Sequence, residues 1–244
     1  MKQFLLSLQF LTILPVKIKG QVLEEDYKGI FSYFPLVGAC IGLLLALVSL
    51  ILGCIPYVAM VACILCLSIV VTGALHIDGF ADTCDGFFSG KPKDKILEIM
   101  QDSRIGTMGC VGICTILILK LTFLISLPHA YFCKVLILSL TYSRWAQGLA
   151  CCLCKYARTS GKSNYFFKYV NTKDIVIGAI AALIIFLILA GLKGFCIFSL
   201  GLIPVLIFIK FSQSKIGGMT GDTLGATNEI AELSILFLGL IFLK

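Results

Sequence analysis

The chain has 244 residues, of which 59% are hydrophobic and 14% are charged, and its formal net charge is +7. Soluble globular proteins carry about 25% charged residues, so this composition excludes an ordinary water-soluble domain and indicates a membrane protein. The basic excess does not require nucleic acid, because cytoplasmic loops of membrane proteins collect lysine and arginine. We therefore expect contact with membrane lipid and no nucleic-acid partner. The twelve cysteines lie mainly in apolar runs and are expected to be small buried hydrophobic residues.

Long apolar stretches recur along the chain. A helix needs about 20 apolar residues to cross a bilayer core. Seven stretches come close to this requirement, at residues 34–53, 56–75, 107–127, 130–153, 174–192, 194–209 and 230–243. The segment 4–16 is too short and is expected to lie along the membrane surface. The sequence predicts an all-α, polytopic membrane helix bundle with about seven transmembrane helices, forming a single domain over residues 1–244.

The distribution of charge predicts the orientation. With a cytoplasmic N-terminus and seven spans, 15 of the 20 basic residues fall on the cytoplasmic side. This agrees with the positive-inside rule. The same assignment leaves all 13 acidic residues on that side or at a cytoplasmic helix end. An active site should therefore face the cytoplasm.

The first polar segment, residues 76–106, carries closely spaced acids. Asp78, Asp82 and Asp85 are four and three residues apart, which places them on one face of a helix. Like charges at that spacing repel one another, and residues 73–90 contain no lysine or arginine. A divalent cation is the natural counter-charge, and oxygen ligands select magnesium, calcium or manganese. The alternative, a solvated helix face, is disfavoured because the intervening residues are apolar or small.

The same segment continues with a second acidic helix. Asp94, Glu98 and Asp102 recur every four residues among aliphatic side chains, which indicates an amphipathic helix. Arg104 suits bidentate phosphate binding, although it could also be an interfacial anchor. His76 is a candidate base, and the alternative is a packed imidazole at a helix end.

A second polar segment precedes the last predicted span. Gly217 and Gly218 allow the backbone to approach a phosphate at a helix N-terminus, although a glycine-rich turn with close helix packing is the alternative. Asp222 and Glu229 are seven residues apart on one helical face, and Asn228 offers a neutral oxygen. This pattern indicates a second acidic site. We expect the two polar segments to meet at the inner leaflet.

Arg144 lies within the fourth predicted span. A guanidinium in lipid is costly, so it should point into the bundle and pair with an anion or a carboxylate. If it lies near the cytoplasmic leaflet, it could instead reach the interface with its long side chain.

Four strings in the sequence together resemble a known family. They are TGALHIDGFADTCDG, LEIMQDSRIGTMG, SRWAQ and GGMTGDTLGATNEIAEL, in this order. They resemble the cobalamin synthase family, the adenosylcobinamide-GDP ribazoletransferases. The resemblance implies transfer of the activated cobinamide phosphate to α-ribazole or its 5′-phosphate, with release of GMP and a requirement for Mg²⁺. It also implies location in the bacterial cytoplasmic membrane. The sequence does not decide whether the protein forms a homo-oligomer.

The chemistry of phosphoryl transfer, together with this resemblance, assigns roles to individual residues. Metal ions neutralise the transferring and leaving oxygens in such reactions while the protein positions them. The expected catalytic residues are Asp82, Asp85, Asp102, Arg104 and His76. The expected metal ligands are Asp78, Asp82, Asp85, Glu98, Asp102, Asp222 and Glu229. The expected substrate-binding residues are Arg104, Arg144, Lys215, Gly217, Gly218 and Asn228, of which Arg104 and Lys215 would bind the diphosphate.

Two alternative functions stay open from the sequence. The run from Asp82 to Gly86 begins like the D-x-x-D-G of CDP-alcohol phosphotransferases, but Ser89 and Gly90 stand where that motif has Ala-Arg. A divalent-cation transporter is the second alternative, because acids near membrane spans also form ion pathways. A transporter should place its acids at the bilayer midplane, whereas here they gather at predicted cytoplasmic ends.

Overall fold

The computed structural model describes residues 2–18, 20–159, 161 and 163–243. The α-helices in these ranges are α1 Lys2–Leu11, α2 Phe34–Ile51, α3 Tyr57–Val71, α4 Leu75–Phe87, α5 Lys93–Ile99, α6 Thr107–Ser126, α7 His129–Leu153, α8 Asn164–Tyr169, α9 Thr172–Ile216 and α10 Gly221–Phe242. Within the same ranges, extended pairing is confined to an isolated bridge between Tyr156 and Met219. The predicted all-α fold class is confirmed.

The central helix of the bundle is α7, which packs against α2, α9 and α10. Helices in lipid gain little from the hydrophobic effect, so close packing depends on small residues at the interface. A Cβ atom added to Gly42 would lie 2.7 Å from the Cα of Ile137, and one added to Gly38 would lie 2.8 Å from the carbonyl carbon of Leu140. The glycines of α2 therefore bring its backbone into direct contact with α7.

A sharp turn separates α3 from α4, and the two helices meet at 85°. Gly73 and Ala74 between them are left-handed, with φ of 60° and 57°. Such a φ costs an alanine about 1–2 kcal/mol, which the surrounding packing must offset. The turn makes α4 a separate helix. This helix carries Asp78, Asp82 and Asp85, as their spacing predicted.

The longest element, α9, is broken at Gly191, where φ is 56° and ψ is −141°. The rings of Phe186 and Phe198 have centroids only 5.3 Å apart. A straight helix would advance about 18 Å over those twelve residues. The chain therefore folds back at Gly191, and the two legs of α9 contain the predicted spans 174–192 and 194–209.

The predicted number of seven spans is not confirmed. In the described part of the chain, four helices are long and apolar enough to cross a membrane, namely Phe34–Cys54, Thr107–Ser126, Thr172–Ile216 and Gly221–Phe242. The bent pair of α3 and α4 makes a fifth if it counts as one span. Two predicted spans fall on the single element α9. Another forms α7, whose hydroxyl, amide and guanidinium groups are buried inside the protein.

The cysteines also differ from expectation. All twelve are free, and seven of them are exposed on the outside of the bundle. The expectation of burial is wrong for these seven. An apolar side chain gains little from facing inward when lipid surrounds the helices.

Candidate active site

The helices α4 and α10 cross in close contact, and each carries a glycine at the crossing. A Cβ atom on Gly79 would lie 2.8 Å from the backbone oxygen of Asp222, and one on Gly225 would lie 3.1 Å from the backbone oxygen of His76. Such short distances leave no room for a side chain at Gly79 and very little at Gly225, so the two backbones touch. The two polar segments of the sequence therefore meet here, as expected.

Three carboxylates form an acidic group beside this crossing. Asp78 is exposed, whereas Asp82 and Asp222 are half-buried. The charges of Asp222 and Asp78 both repel that of Asp82, and Arg158 partly opposes them. Because partial burial weakens the screening of charge by water, this group gains from a bound cation.

Arg158 lies beside the acidic group, and no motif in the sequence points to a role for it. Its Nη2 donates to Oδ2 of Asp222 at 2.8 Å, and its side chain is 14% exposed. Its Nε contacts no acceptor among the described residues. The loop after α7, which carries Arg158, is held to the turn before α10 by two backbone hydrogen bonds. The amide of Ala157 donates to the carbonyl oxygen of Met219 at 2.8 Å, and the amide of Met219 donates to the carbonyl oxygen of Lys155 at 2.9 Å. Because this pairing joins distant segments, only the tertiary structure identifies Arg158.

The start of α10 is held by its own side chains. Thr220 and Thr223 form a capping box, in which each hydroxyl oxygen accepts from the other residue's backbone amide. The hydroxyl of Thr220 also donates to Oδ2 of Asp222 at 3.2 Å. The carboxylate of Asp222 is thus fixed in orientation by Thr220 and by Arg158.

The predicted phosphate-binding glycines form the turn between α9 and α10. Gly217 ends α9 in a left-handed conformation with φ of 74°, and Gly218 packs against the backbone of Lys155. Turn geometry and close packing account for both residues. The ammonium group of Lys215 lies 5.4 Å from the ring centroid of Phe211 on the same helix.

Asp85 lies on α4 with the other acids, but its carboxylate is already engaged. Its Oδ2 accepts from the backbone amide of Gly106 and its Oδ1 from that of Gly109, both at 2.7 Å. These amides belong to the start of α6, where helical donors lack partners and a negative charge is favoured. Asp85 therefore caps α6, and both of its oxygens are in use.

Glu98, Asp102 and Arg104 lie on the exposed side of the protein. Nε and Nη2 of Arg104 donate to the two oxygens of Asp102 at 3.0 and 2.7 Å. These hydrogen bonds from Arg104 lower the pKa of Asp102 to about 2. Glu98 pairs with Lys95 at 2.7 Å. Arg104 is thus paired with its own neighbour rather than with the acidic group at the crossing.

Four charged side chains form a buried cluster further along α10. Nζ of Lys120 lies 2.7 Å from Glu229 and 2.9 Å from Glu232, and Nη1 of Arg144 lies 3.2 Å from Glu232. All four side chains are at most 8% exposed. Two cations balance two anions, so this buried cluster is neutral. Arg144 points into the bundle and pairs with a carboxylate, as the sequence predicted, and Glu229 has Lys120 as its counter-charge.

His76 connects the crossing to the buried cluster through two amide side chains. Nε2 of Gln147 lies 2.9 Å from Oδ1 of Asn228, to which it donates, and 3.3 Å from Nδ1 of His76. Nδ2 of Asn228 donates in turn to Glu229 at 3.2 Å. Asn228 is therefore occupied within the protein, and Gln147 is a polar residue of this site that the sequence did not single out.

A cavity of about 240 Å³ opens beside the acidic group. Asp78, Asp222, His76 and Gln147 line one part of it. Phenylalanines from α1, the segment before α2, α2 and α8 line the other part, namely Phe10, Phe31, Phe34 and Phe166. The cavity thus combines an aromatic wall with a polar wall that contains two carboxylates.

The seven carboxylates predicted as metal ligands are not brought together. Asp85, Glu98, Asp102 and Glu229 are each engaged elsewhere, as described above. Among the residues that the structure describes, no three or more His, Cys, Asp or Glu side chains are arranged to hold a metal ion. Mg²⁺ commonly takes only one or two carboxylates and completes its shell with water and substrate phosphates. Two carboxylates of the acidic group, together with water and substrate phosphates, fit that mode of binding.

Comparison with known proteins identifies the family. Residues 3–240 match the family described as cobalamin-5-phosphate synthase. The chain belongs to this family. No solved structure matches it.

Three relatives illustrate the similarity, and each is named adenosylcobinamide-GDP ribazoletransferase. The protein of Clostridium novyi is 39% identical, covering 100% of this chain and 98% of the relative. That of Thermoanaerobacter pseudethanolicus is 37% identical over 96% of this chain and 95% of the relative. That of Clostridium acetobutylicum is 35% identical over 94% of this chain and 92% of the relative.

The strings that carry the family resemblance converge in the fold. The first forms the turn into α4 and α4 itself, and the last forms the start of α10, which crosses it. The string SRWAQ lies on α7 and supplies Arg144 and Gln147. The string LEIMQDSRIGTMG contains Gly106 and Gly109, whose amides bind Asp85.

Proposed function

We propose that this protein is an adenosylcobinamide-GDP ribazoletransferase. An oxygen of a ribose hydroxyl on α-ribazole, or on its 5′-phosphate, forms a bond to the phosphorus that carries cobinamide. The bond from that phosphorus to the bridging oxygen breaks, and GMP leaves with that oxygen. The hydroxyl proton passes to a carboxylate. The observation that carries this proposal is the meeting of Asp78, Asp82 and Asp222 with Arg158 beside a cavity that Asp78 and Asp222 line.

The acidic group is proposed to hold Mg²⁺ together with the diphosphate. When bound, Mg²⁺ would neutralise negative charge on the transferring and leaving phosphate oxygens. Two of the three carboxylates Asp78, Asp82 and Asp222 would hold it, because the mutual repulsion of this group is relieved by a cation. Asp85 is a weaker candidate, since two backbone amides already use its oxygens.

Arg158 is proposed to bind the phosphate of the departing GMP. Its Nη2 is oriented by Asp222, while its Nε contacts no acceptor among the described residues. A guanidinium binds phosphate oxygens through several directed hydrogen bonds. A position beside the acidic group would let it stabilise charge as it develops on the leaving oxygen.

The site is proposed to face the cytoplasm from the bacterial cytoplasmic membrane. The loops around the crossing are rich in basic residues, namely Lys91, Lys93, Lys95, Arg104, Lys155 and Arg158. Such loops are typical of the cytoplasmic side. Neither alternative function is favoured, because the relatives carry a ribazoletransferase name and the buried acids of α10 are neutralised by Lys120 and Arg144.

The decisive experiment measures GMP release. Purified protein in lipid nanodiscs is incubated with adenosylcobinamide-GDP, α-ribazole or its 5′-phosphate, and Mg²⁺. We expect GMP release with cobalamin formation, loss of both with a chelator, and recovery on adding back Mg²⁺. Asp82→Asn should abolish release, whereas Glu25→Gln, a change at an exposed residue far along the chain from the acidic group, should leave it unchanged. A folded wild-type sample that releases no GMP would refute the proposal.

A further inference from the structure

The aromatic wall of the cavity is formed by four phenylalanines from separate elements. The ring centroids of Phe10 and Phe166 are 4.5 Å apart, and those of Phe31 and Phe34 are 4.7 Å apart. Phe10 also lies 6.1 Å from Phe34. The planes of Phe10 and Phe166 are 62° apart, so a planar ring that stacks on one of them meets the edge of the other.

The polar wall offers hydrogen bonds at fixed positions. Gln147 is 3% exposed, and its Nε2 is shared between Asn228 and His76, so its carbonyl oxygen remains as an acceptor. Nδ1 of His76 is the acceptor in this contact, which places the ring proton on Nε2. That Nε2 has no partner among the described residues, and His76 is 3% exposed. A buried donor without a partner in the described part of the chain therefore belongs to a residue that lines the cavity.

The charge of the cavity favours the uncharged base of a nucleoside over the phosphates of a nucleotide. Of the described residues that line it, none is lysine or arginine, and two are the carboxylates Asp78 and Asp222. The described lining offers no cationic side chain of its own, so a phosphate could be held there only through Mg²⁺ at the acidic group. A nucleoside base has no charge to oppose, and its ring nitrogen can accept the proton of His76 Nε2.

The size of the cavity leads to the same conclusion. Its volume of about 240 Å³ is below the range of about 300–1,000 Å³ that is usual for ligand pockets. The corrin macrocycle is far too large to enter, so adenosylcobinamide must stay outside. A single heteroaromatic base with part of its ribose is the portion of the substrates that such a space admits.

We infer that this cavity is the acceptor subsite, in which the heteroaromatic base of α-ribazole stacks on Phe10 and meets the edge of Phe166 while its ribose reaches Asp78 and Asp222. This inference rests on the proposed function. It places the attacking hydroxyl next to the acidic group and leaves the guanosine moiety of the donor on the other side, near Arg158. Phe10 is the most exposed of the four phenylalanines, at 38%.

The test compares steady-state constants for both substrates. Phe10→Ala removes an exposed ring and should raise the KM for α-ribazole about tenfold, because base stacking on one aromatic side chain has about that effect. The KM for adenosylcobinamide-GDP should stay within twofold. Phe166→Leu should act in the same direction. Phe88→Ala, which removes an exposed ring after α4, is the matched control and should change neither constant.

Binding without turnover separates the possible occupants. Titration of α-ribazole alone and of GMP alone into nanodiscs should show that Phe10→Ala weakens the first and not the second. A selective loss of GMP binding, or a higher KM for the donor only, would overturn the inference and assign the cavity to guanine. In that event wild-type GMP release still supports the proposed function. Melting temperatures within about 2–3 °C of wild type confirm that each variant is folded.

Discussion

Replacing Lys120 by methionine tests the buried cluster of Lys120, Arg144, Glu229 and Glu232. Methionine has a similar length and no charge, so it fills the space without restoring the ion pairs. The variant leaves two buried carboxylates with one guanidinium. Glu232 keeps Arg144 at 3.2 Å, but Glu229 loses the cation that lies 2.7 Å away.

The expected cost follows from burial. Removing one partner of a buried ion pair destabilises a protein by about 3–5 kcal/mol, because the remaining charge is left without compensation. Asn228 still donates to Glu229 at 3.2 Å, so we expect the lower half of that range. For a chain of this size the melting temperature should fall by about 10 °C.

The assay is thermal unfolding in nanodiscs, run as a double-mutant cycle. Glu229→Gln combined with Lys120→Met restores neutrality and should recover about 2 kcal/mol, which is a coupling typical of residues in contact. Lys134→Met, an exposed position on α7, is the control and should melt like the wild type. If Lys120→Met melts unchanged while Glu229→Gln raises the Mg²⁺ requirement, then Glu229 is a metal ligand and the reasoning fails.

Three further variants test other contacts. Asp85→Asn keeps one acceptor of two, so stability should fall by about 1–2 kcal/mol while GMP release keeps its Mg²⁺ dependence. Gly79→Ala forces a methyl group against the backbone of Asp222, and should cost about 1–3 kcal/mol and slow GMP release. Arg104→Ala should raise the KM for adenosylcobinamide-GDP alone and leave the melting temperature unchanged, because a guanidinium suits a phosphate and this exposed side chain forms only a surface ion pair with Asp102.

For each of these three variants, one result would contradict the prediction. An unchanged melting temperature with a raised Mg²⁺ requirement would make Asp85 a ligand rather than a helix cap. Gly79→Ala should be compared with Gly53→Ala, where an added Cβ meets nothing within 4 Å, and equal activity of both variants would show that the crossing need not be tight. An unchanged donor KM in Arg104→Ala would make that residue an interfacial anchor.

The sequence contained enough information for the fold class and for the meeting of the polar segments. Long apolar runs dictate helices, because a bilayer leaves no other way to satisfy a spanning backbone apart from a closed barrel. The spacing of Asp78, Asp82 and Asp85 likewise predicted their common helix. The sequence also predicted that Arg144 pairs with an anion or a carboxylate, since an unpaired guanidinium is costly inside a membrane.

Which acid does what was decided only by the tertiary structure. Asp82 and Asp85 look alike in the sequence, yet Asp85 faces the free amides of α6, while Asp82 faces Asp222. Glu229 lies on the same face of α10 as Asp222. Its partner, however, is Lys120, which is more than one hundred residues away along the chain. Arg158 reaches the site through a loop that pairs with the start of α10. Spacing along one helix fixes which side chains share a face, whereas a carboxylate's role depends on the partner that folding places opposite it.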